Sequence, residues 1–240
     1  MNLLLLTPEE VNAGCLWLAP SDRRSRHLSE VIRPETGDRL RVGCIGGLMG
    51  EARAQRLEDG GWKLDMLTLN QPPPSPLPVT VVLALPRPKA LRRIIQGLTA
   101  LGVKKLWLIH SYRVEKSYWQ TPWLEPEALR EQCLLGLEQA RDTVLPEIGL
   151  RRRFKPFVED ELPGLIAERG QGHVAHPYPE QPSPPPERGA GTVLVFGPEG
   201  GFIPYEVNKL VEAGCQAFSL GPRILRVETV LPTVIGKLYY

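Results

Sequence analysis

Two glycine-containing turns have the composition of a surface against which a small molecule can lie. Each follows an apolar segment that is typical of a buried strand, and they read "FGPEGGF" at 196–202 and "SLGPRILRVET" at 219–229. Glycines leave backbone N–H and C=O groups uncovered, so two such turns could bracket a flat heterocycle. A tight turn between a strand and a helix is the simpler interpretation, and these residues alone leave both interpretations open.

The segments around these turns predict an α/β domain. Strand-like apolar runs lie at 79–86, 104–111, 172–177, 192–197 and 216–221, and helix-period segments lie at 89–101, 125–141, 159–169, 204–213 and from about 225. Strands that alternate with helices indicate a mostly parallel sheet. Ligands of such sheets bind beyond the carboxyl ends of the strands, which is where both turns lie. Pro232 falls inside the last helix and should kink it or confine it to its first turn.

The first third of the chain predicts a separate small domain. Segments of β character at 39–45, 51–57 and 62–69 are separated by glycine-containing turns, and a short helix is expected at 25–32. This spacing suggests a small antiparallel barrel. The segment "NQPPPSPLP" at 70–78 holds five prolines, which favour an extended spacer. We therefore expect a domain at 1–70, a linker at 71–78 and a second domain at 79–240.

Several functional classes lack their signatures in this sequence. It contains no G-x-G-x-x-G after a strand, no G-x-x-x-x-G-K-[ST], no H-E-x-x-H and no G-x-S-x-G, which argues against dehydrogenases, NTPases, zinc hydrolases and α/β hydrolases. The four cysteines have no ligand spacing, so we expect free thiols in a reducing cytoplasm and no metal site. His110, His173 and His176 are expected to be structural or exposed. Neither a transmembrane segment nor a signal peptide is expected.

The charge is distributed unevenly along the chain. The formal net charge is only +2, but residues 71–155 carry 14 basic and 7 acidic side chains, a net charge of +7. The flanking segments, 1–70 and 156–240, have net charges of −1 and −4. A phosphate backbone would be attracted to the middle segment, although a solvated basic face is a commoner cause of such an excess.

Three stretches belong together: "VFGPEGGF", "SLGPRILRVET" and "GLEQARDTVLPEI" at 136–148. Together they closely resemble the bacterial small-subunit ribosomal RNA uridine N3-methyltransferases of the SPOUT class. A fourth, "SRHLSEVIRPETGDRLRV" at 25–42, resembles the N-terminal barrel of that family. The resemblance implies an S-adenosylmethionine-dependent enzyme that methylates N3 of a uridine in 16S ribosomal RNA. It also implies a parallel-sheet domain with a trefoil knot, an N-terminal PUA-like RNA-binding β-barrel, and a cytoplasmic homodimer that acts on ribosomal RNA or the small subunit.

The resemblance also implies site residues. The cofactor would be bound by Phe196, Gly197, Pro198, Glu199, Gly200, Gly201, Ser219, Leu220, Gly221, Ile224, Leu225 and Arg226. RNA would be bound by Arg24, Arg26, His27, Arg33, Arg87, Arg92, Arg93 and Arg113. Since uracil N3 carries a proton, we take Glu228 as the proton acceptor or as a group that orients Arg226, and Arg226 as the cation beside the developing negative charge. A surface ion pair between the two is the simpler interpretation.

Some residues depart from the family pattern or leave alternatives open. Ile203 cannot cap the helix that follows the first turn, Val227 replaces a threonine, and "GLTALG" at 97–102 lacks the family's Lys and Glu. A non-catalytic RNA-binding assembly factor that keeps the fold is therefore the alternative function. Glu199 could hold the cofactor's amino group or brace its loop, and Arg223 could contact RNA phosphate or clamp its loop.

The apolar composition of the last helix gives the homodimer modest support of its own. Val230, Leu231, Val234, Ile235 and Leu238 form more apolar surface than one packed face needs. A helix that docks on its own sheet would hide the same residues, so the sequence leaves this alternative open.

Overall fold

The structure, a computed structural model, describes residues 2–179 and 182–240 with the exception of the Met66 side chain. The chain divides into two units. The first consists of Met1–Ser75 and Leu134–Leu145, and the second of Pro76–Cys133 and Pro146–Tyr240. In these described ranges, no helix combines the length and the apolar character needed to cross a membrane.

The first unit is built on one five-stranded sheet. Its elements are β1 (Leu4–Leu6), α1 (Pro8–Asn12), β2 (Leu16–Leu18), α2 (Arg23–His27) with a π-helical turn at Leu28–Ile32, β3 (Arg39–Cys44), β4 (Met49–Arg56) and β5 (Trp62–Gln71). The strand order is β1-β3-β4-β5-β2. One side of β3, β4 and β5 packs around Trp62 and Leu64, both fully buried. The alternating burial along β4 is the pattern that a half-buried strand requires.

The predicted antiparallel arrangement is wrong for β1. This strand pairs in parallel with β3, whereas β3, β4, β5 and β2 pair antiparallel. A parallel pair needs a crossover connection, and here α1, β2 and α2 lie in the chain between β1 and β3. Because β1 and β2 have three residues each, they are too short to show a period in the sequence.

The segment 134–145 belongs to the first unit, which differs from the predicted domain at 79–240. The reason is a small apolar cluster of Leu3, Leu5 and Leu137. The backbone N–H groups of Asn2 and Leu3 both donate to the Glu138 carbonyl. The Glu138 carboxylate, almost fully buried, pairs with both terminal nitrogens of Arg23 at 2.9 and 2.6 Å. Burial of a carboxylate is tolerated here because it is paired and hydrogen-bonded.

The second unit is an α/β fold with a parallel sheet, as the alternation of strands and helices predicts. Its elements are β6 (Val79–Ala84), α3 (Pro88–Ala100), β7 (Lys105–Ile109), α4 (Pro126–Ala140, whose last residues lie in the first unit), β8 (Glu147–Arg151), α5 (Phe154–Pro156) with a π-helical turn at Phe157–Glu161, α6 (Leu162–Arg169), β9 (Gly172–Ala175), β10 (Thr192–Phe196), α7 (Pro204–Glu212), β11 (Cys215–Phe218) and α8 (Val227–Tyr239). The strand order is β11-β9-β10-β6-β7-β8.

All neighbouring strands of this sheet pair in parallel. The central strands β6 and β10 are buried at every residue, as expected for a sheet covered on both faces. Strand β8 at the edge is only partly buried and was not predicted, because "EIGLR" lacks the continuous apolar run of the central strands.

Helix α8 continues through Pro232, so the prediction that it is confined to its first turn is wrong. Pro232 lies on an exposed position of the helix, where the carbonyl that loses its partner can be hydrated. The opposite side packs on α3. Leu231, Val234, Ile235 and Leu238 are 0–3 % exposed within this one chain. The docked helix therefore accounts for four of the five residues on which the sequence argument for a dimer depended, and the fifth, Val230, lines a cleft described below.

Candidate functional site

Three loops leave the sheet at the same edge. The glycine loop (197–203) follows β10, the β11 loop (219–226) follows β11, and the β9 loop (176–191) follows β9, with residues 180–181 outside the described part of the chain. Because β9 lies between β10 and β11 and all three run parallel, their carboxyl ends lie side by side. The loops therefore converge where ligands of α/β sheets bind.

A cleft of about 370 Å³ lies between these loops. Of the residues predicted to bind the cofactor, those that line it are Phe196, Gly197, Pro198, Glu199, Gly200, Gly201, Ser219, Leu220, Ile224 and Leu225. Gly221 and Arg226 do not line it. The lining residues that sequence reasoning did not assign to the cleft are Arg113, Ala175, His176, Pro177, Tyr178, Phe202, Phe218, Arg223, Val227 and Val230. The position directly after β9 is the sequence signal that could have found His176, Pro177 and Tyr178.

The glycines of the first loop serve different purposes. Gly201 has φ +73°, a left-handed conformation that disfavours other residues, and a methyl group there would point into open space. Gly200 has no such backbone requirement, but an added Cβ would lie 3.0 Å from Cδ of Arg113. The turn therefore requires glycine at 201, whereas glycine at 200 makes room for an arginine side chain.

Hydrogen bonds involving two side chains hold the loop after β7 against the glycine loop. Glu206 is 3 % exposed, and its carboxylate accepts from the N–H of Tyr112 at 2.7 Å and from the N–H of Ile203 at 3.0 Å. Arg113 donates to the carbonyl of Gly200. The N–H of Ile203 is that of the residue preceding α7, so Glu206 also satisfies the helix end that the Ile203 side chain cannot cap.

Two further contacts fix the walls of the cleft. Glu199 Oε1 accepts from the Arg87 N–H at 3.0 Å, so this carboxylate braces its loop against the segment after β6. The Ser219 hydroxyl donates to the Pro177 carbonyl at 3.2 Å, which joins the β11 loop to the β9 loop. Arg223 is exposed and lines the cleft. Within the described residues it makes no hydrogen bond or ion pair that would clamp its loop.

The comparison that decides the family concerns the same part of the chain. The family described as "RNA methyltransferase domain" matches residues 73–238, which include the whole parallel sheet and all three loops. This chain belongs to the RNA methyltransferase family.

Relatives of this family member extend over nearly its whole length. The ribosomal RNA small subunit methyltransferase E of Treponema pallidum is 28% identical over 231 residues, which cover 95% of this chain and 87% of the relative. The protein of the same name from Synechocystis is 29% identical over 236 residues, 96% of this chain and 74% of the relative. The structure of ribosomal RNA small subunit methyltransferase E from Neisseria gonorrhoeae bound to S-adenosyl methionine is similar in fold, with a TM-score of 0.74, 21% identity, and coverage of 99% and 96%.

The residues taken as catalytic lie outside the cleft of this family member. Arg226 precedes α8 and is exposed, with its neighbours Leu225 and Val227 in the cleft wall. Glu228 lines a different cavity, of about 80 Å³, between α3 and α8. In the part of the chain that the structure describes, no ion pair joins the two. Periodicity could not have shown this, since consecutive positions at a helix start point in different directions.

One of the predicted RNA-binding residues, Arg24, is paired with acidic side chains of its own unit. Its guanidinium donates to Glu10 and Asp22 at 2.7–3.2 Å and to the Leu5 carbonyl at 3.1 Å, which uses all five N–H donors. Burial opposes the charge, but the hydrogen bonds that Arg24 donates to Glu10 and Asp22 raise the pKa of Arg24 above its ordinary value. The structure therefore assigns this arginine to the stability of the first unit.

The other predicted RNA ligands differ in their surroundings. Arg92 stacks over the ring of Trp123 at 4.1 Å, and Arg33 donates to the Glu30 carbonyl. The side chains of Arg26, Arg87 and Arg93 are exposed, and no ion pair holds them within the described ranges. Burial lowers the pKa of His27, so it is mostly neutral at pH 7. Arg113 belongs to the cleft.

Proposed function

We propose that this chain transfers a methyl group from S-adenosylmethionine to N3 of a uridine in 16S ribosomal RNA. The observation that carries the proposal is the cleft between the glycine loop and the β11 loop. Both loops contain the motifs by which the chain resembles the uridine N3-methyltransferases. Relatives named small-subunit methyltransferases match 95% and 96% of the chain, which supports the same substrate class.

The residues of the cleft fit S-adenosylmethionine. Phe196, Ile224, Leu225 and Val230 would provide apolar walls for the adenine, and Ile224 is 70 % exposed. Gly197, Gly200 and Gly201 line the cleft without side chains, so the polar edges of the cofactor could approach the backbone there. When bound, the cofactor supplies an electrophilic methyl group on a positively charged sulfur.

The chain's own residues would position and stabilise the uracil. Methyl transfer requires the attacking N3, the methyl group and the sulfur to be nearly in line, so much of the catalysis is positioning. As N3 loses its proton, negative charge develops on the uracil, and preorganised cations stabilise it. Arg113 and Arg223 line the cleft, and we add them to Arg226 as candidates for this role.

RNA binding is proposed to be electrostatic. The exposed arginines Arg26, Arg87 and Arg93 and the net charge of +7 in residues 71–155 support this. Neutralised phosphates release counterions, so affinity for ribosomal RNA should fall steeply as salt rises. The RNA substrate would place the reaction in the bacterial cytoplasm.

We retain the trefoil knot as a proposal for the second unit. Strand β11 lies outside β9 at the sheet edge, yet the following α8 packs on α3. The β9 loop makes hydrogen bonds to α8 and to the β11 loop. The Gly189 N–H donates to the Leu238 carbonyl of α8 at 2.8 Å, and the Ser219 hydroxyl of the β11 loop donates to the Pro177 carbonyl. Chain threading is rare, and a backbone trace from crystallography tests it.

The PUA-like barrel and the homodimer also remain proposals. A small sheet with a filled apolar centre supports the first. Two exposed apolar side chains that line the cleft, Tyr178 and Ile224, are 66 % and 70 % exposed, and they support a second copy against this surface. Light scattering at micromolar concentration should give twice the mass of one chain, and the mass of one chain would exclude the dimer.

The experiment that tests the function combines binding and transfer. Calorimetry should show S-adenosylmethionine binding to the purified chain, and tritiated cofactor should label 16S RNA in small subunits from a strain that lacks the gene. Binding without transfer to any small-subunit RNA would favour an assembly factor that retains the cleft. Transfer to another RNA would keep the chemistry and exclude the proposed substrate.

A further inference from the structure

His176 has a position in the cleft that sequence reasoning did not assign to it. It follows β9 directly, and its backbone N–H donates to the Phe218 carbonyl at 2.9 Å. The next residue, Pro177, accepts the hydrogen bond from Ser219. The backbone on both sides of His176 is thus fixed to the end of β11 and to the β11 loop, between the cleft and a second groove of about 590 Å³ that His176 also lines.

The imidazole of His176 is available for proton transfer. Within the described residues, nothing makes a hydrogen bond to its ring, unlike His110, which accepts from the Trp119 indole N–H at 3.0 Å. Burial lowers the pKa of His176 below its ordinary value of 6.5. A lowered pKa means that the neutral ring, which has a free acceptor nitrogen, persists to pH values below 6.5.

The other titratable groups that face this region are less suited to accept a proton. Arg113 and Arg223 offer N–H donors and no acceptor atom, and the Tyr178 hydroxyl is itself a donor. Cys215 faces the groove, and burial raises its pKa to about 12, so its thiol stays protonated. Glu199 Oε1 accepts from the Arg87 N–H, which holds this carboxylate against the segment after β6.

We infer that His176 is the general base that removes the N3 proton of the target uracil, an assignment that rests on the proposed function. The N3–H bond breaks and its proton passes to an imidazole nitrogen. The electron pair left on N3 forms the bond to the methyl group, and the pair of the broken sulfur–carbon bond stays on sulfur. His176 thereby takes the role that sequence reasoning gave to Glu228, which lies outside the cleft.

The first test uses the protein alone. Burial lowers the pKa of His27, His173 and His176, so nuclear magnetic resonance should show that one of the imidazoles titrating below pH 6.5 is absent from the spectrum of His176→Gln. Single-turnover transfer to small subunits is then measured against pH for the wild type, His176→Gln and His110→Gln, with cofactor affinity measured by calorimetry for each. The wild-type rate should rise with pH to a plateau near neutrality.

Loss of the base should change the shape of this profile. The transfer rate of His176→Gln should be about 10²–10⁴-fold lower than that of the wild type at neutral pH. This rate should still rise above pH 7, because only uracil that has lost its N3 proton to solvent reacts. Cofactor affinity should be unchanged. Free imidazole should partly restore the rate of His176→Gly. His110→Gln should keep the wild-type profile.

A wild-type pH profile in His176→Gln overturns the assignment. Slow transfer by His176→Gln overturns it as well if cofactor affinity is lost and the dependence of the rate on pH is that of the wild type. Transfer that instead loses its pH dependence in Glu199→Gln assigns the base to Glu199. An inactive wild type that binds cofactor contradicts the proposed function.

Discussion

Replacing Glu206 by glutamine tests whether the loops of the cleft are held by this one carboxylate. The carboxylate accepts from two backbone N–H groups, those of Tyr112 and Ile203, at 2.7 and 3.0 Å. Glutamine keeps the shape but offers only one acceptor oxygen. Its NH₂ group must then face one of the two N–H donors, so one hydrogen bond is lost and the other is no longer assisted by charge.

The size of the effect follows from these two bonds. A hydrogen bond to a charged group contributes about 1.5–3 kcal/mol, and a buried donor without a partner costs about 1–3 kcal/mol. We therefore expect Glu206→Gln to lower the free energy of unfolding by about 2–4 kcal/mol. That corresponds to a decrease in melting temperature of about 5–15 °C for a chain of this size. If binding of the cofactor must supply about 1.4 kcal/mol to order loops that Glu206 orders in the wild type, cofactor affinity falls about tenfold.

A control in the same helix separates this effect from a general loss of charge. Glu212 pairs with Lys209 at 2.6 Å, but its side chain is 62 % exposed, so Glu212→Gln should change stability by less than about 1 kcal/mol. Melting curves and calorimetry with S-adenosylmethionine measure both variants. Wild-type stability and affinity in Glu206→Gln would refute the reasoning. Lower stability with intact affinity of the folded protein would restrict Glu206 to the support of α7.

Three further predictions concern other positions. Gly201→Ala should lower the free energy of unfolding by about 1 kcal/mol or more, because Gly201 has a positive φ. Gly200→Ala should chiefly displace Arg113 and lower cofactor affinity. Melting curves measure the first effect and calorimetry the second. Arg24→Ala should cost about 2–4 kcal/mol. Burial raises the pKa values of Glu10 and Asp22, but their hydrogen bonds with Arg24 bring both pKa values below the ordinary 4.5 and 3.8. The stability that Arg24 contributes is therefore present above these pH values and is lost as the pH falls below them. Acid unfolding of the wild type and of Arg24→Ala measures this loss. Ile235→Ala should cost about 2–5 kcal/mol by chemical denaturation because the side chain is fully buried, and an unchanged unfolding curve would contradict the docked helix.

The parallel sheet was predictable because its central strands are continuous apolar runs. "VTVVLA" and "TVLVF" are buried at every residue, and only a sheet covered on both faces requires this. The three-residue strands β1 and β2 and the edge strand β8 carry no comparable signal. Their pairing depends on residues distant in sequence, such as the parallel register of Leu4 with Val42.

The site was predictable to the extent that its motifs lie on the loops themselves. The glycines and the β11 loop could be assigned, because bare backbone has a signature in composition. The position directly after β9 could have placed His176 in the cleft, but its contact with Phe218 could not be predicted. The contact of Glu206 with Tyr112, more than ninety residues away, could not be predicted either. Arg24 looked like an RNA ligand because the sequence does not show that Glu10 and Asp22 occupy its donors.

The measurement that tests the central proposal most directly is the nucleoside content of 16S ribosomal RNA. Small subunits are isolated from the source organism, from a strain that lacks this gene, and from that strain with the gene restored, and their nucleosides are separated and quantified by mass spectrometry. The proposed function predicts that 3-methyluridine is present in the wild type, absent in the deletion and present again on restoration. An equal amount of 3-methyluridine in all three would contradict it.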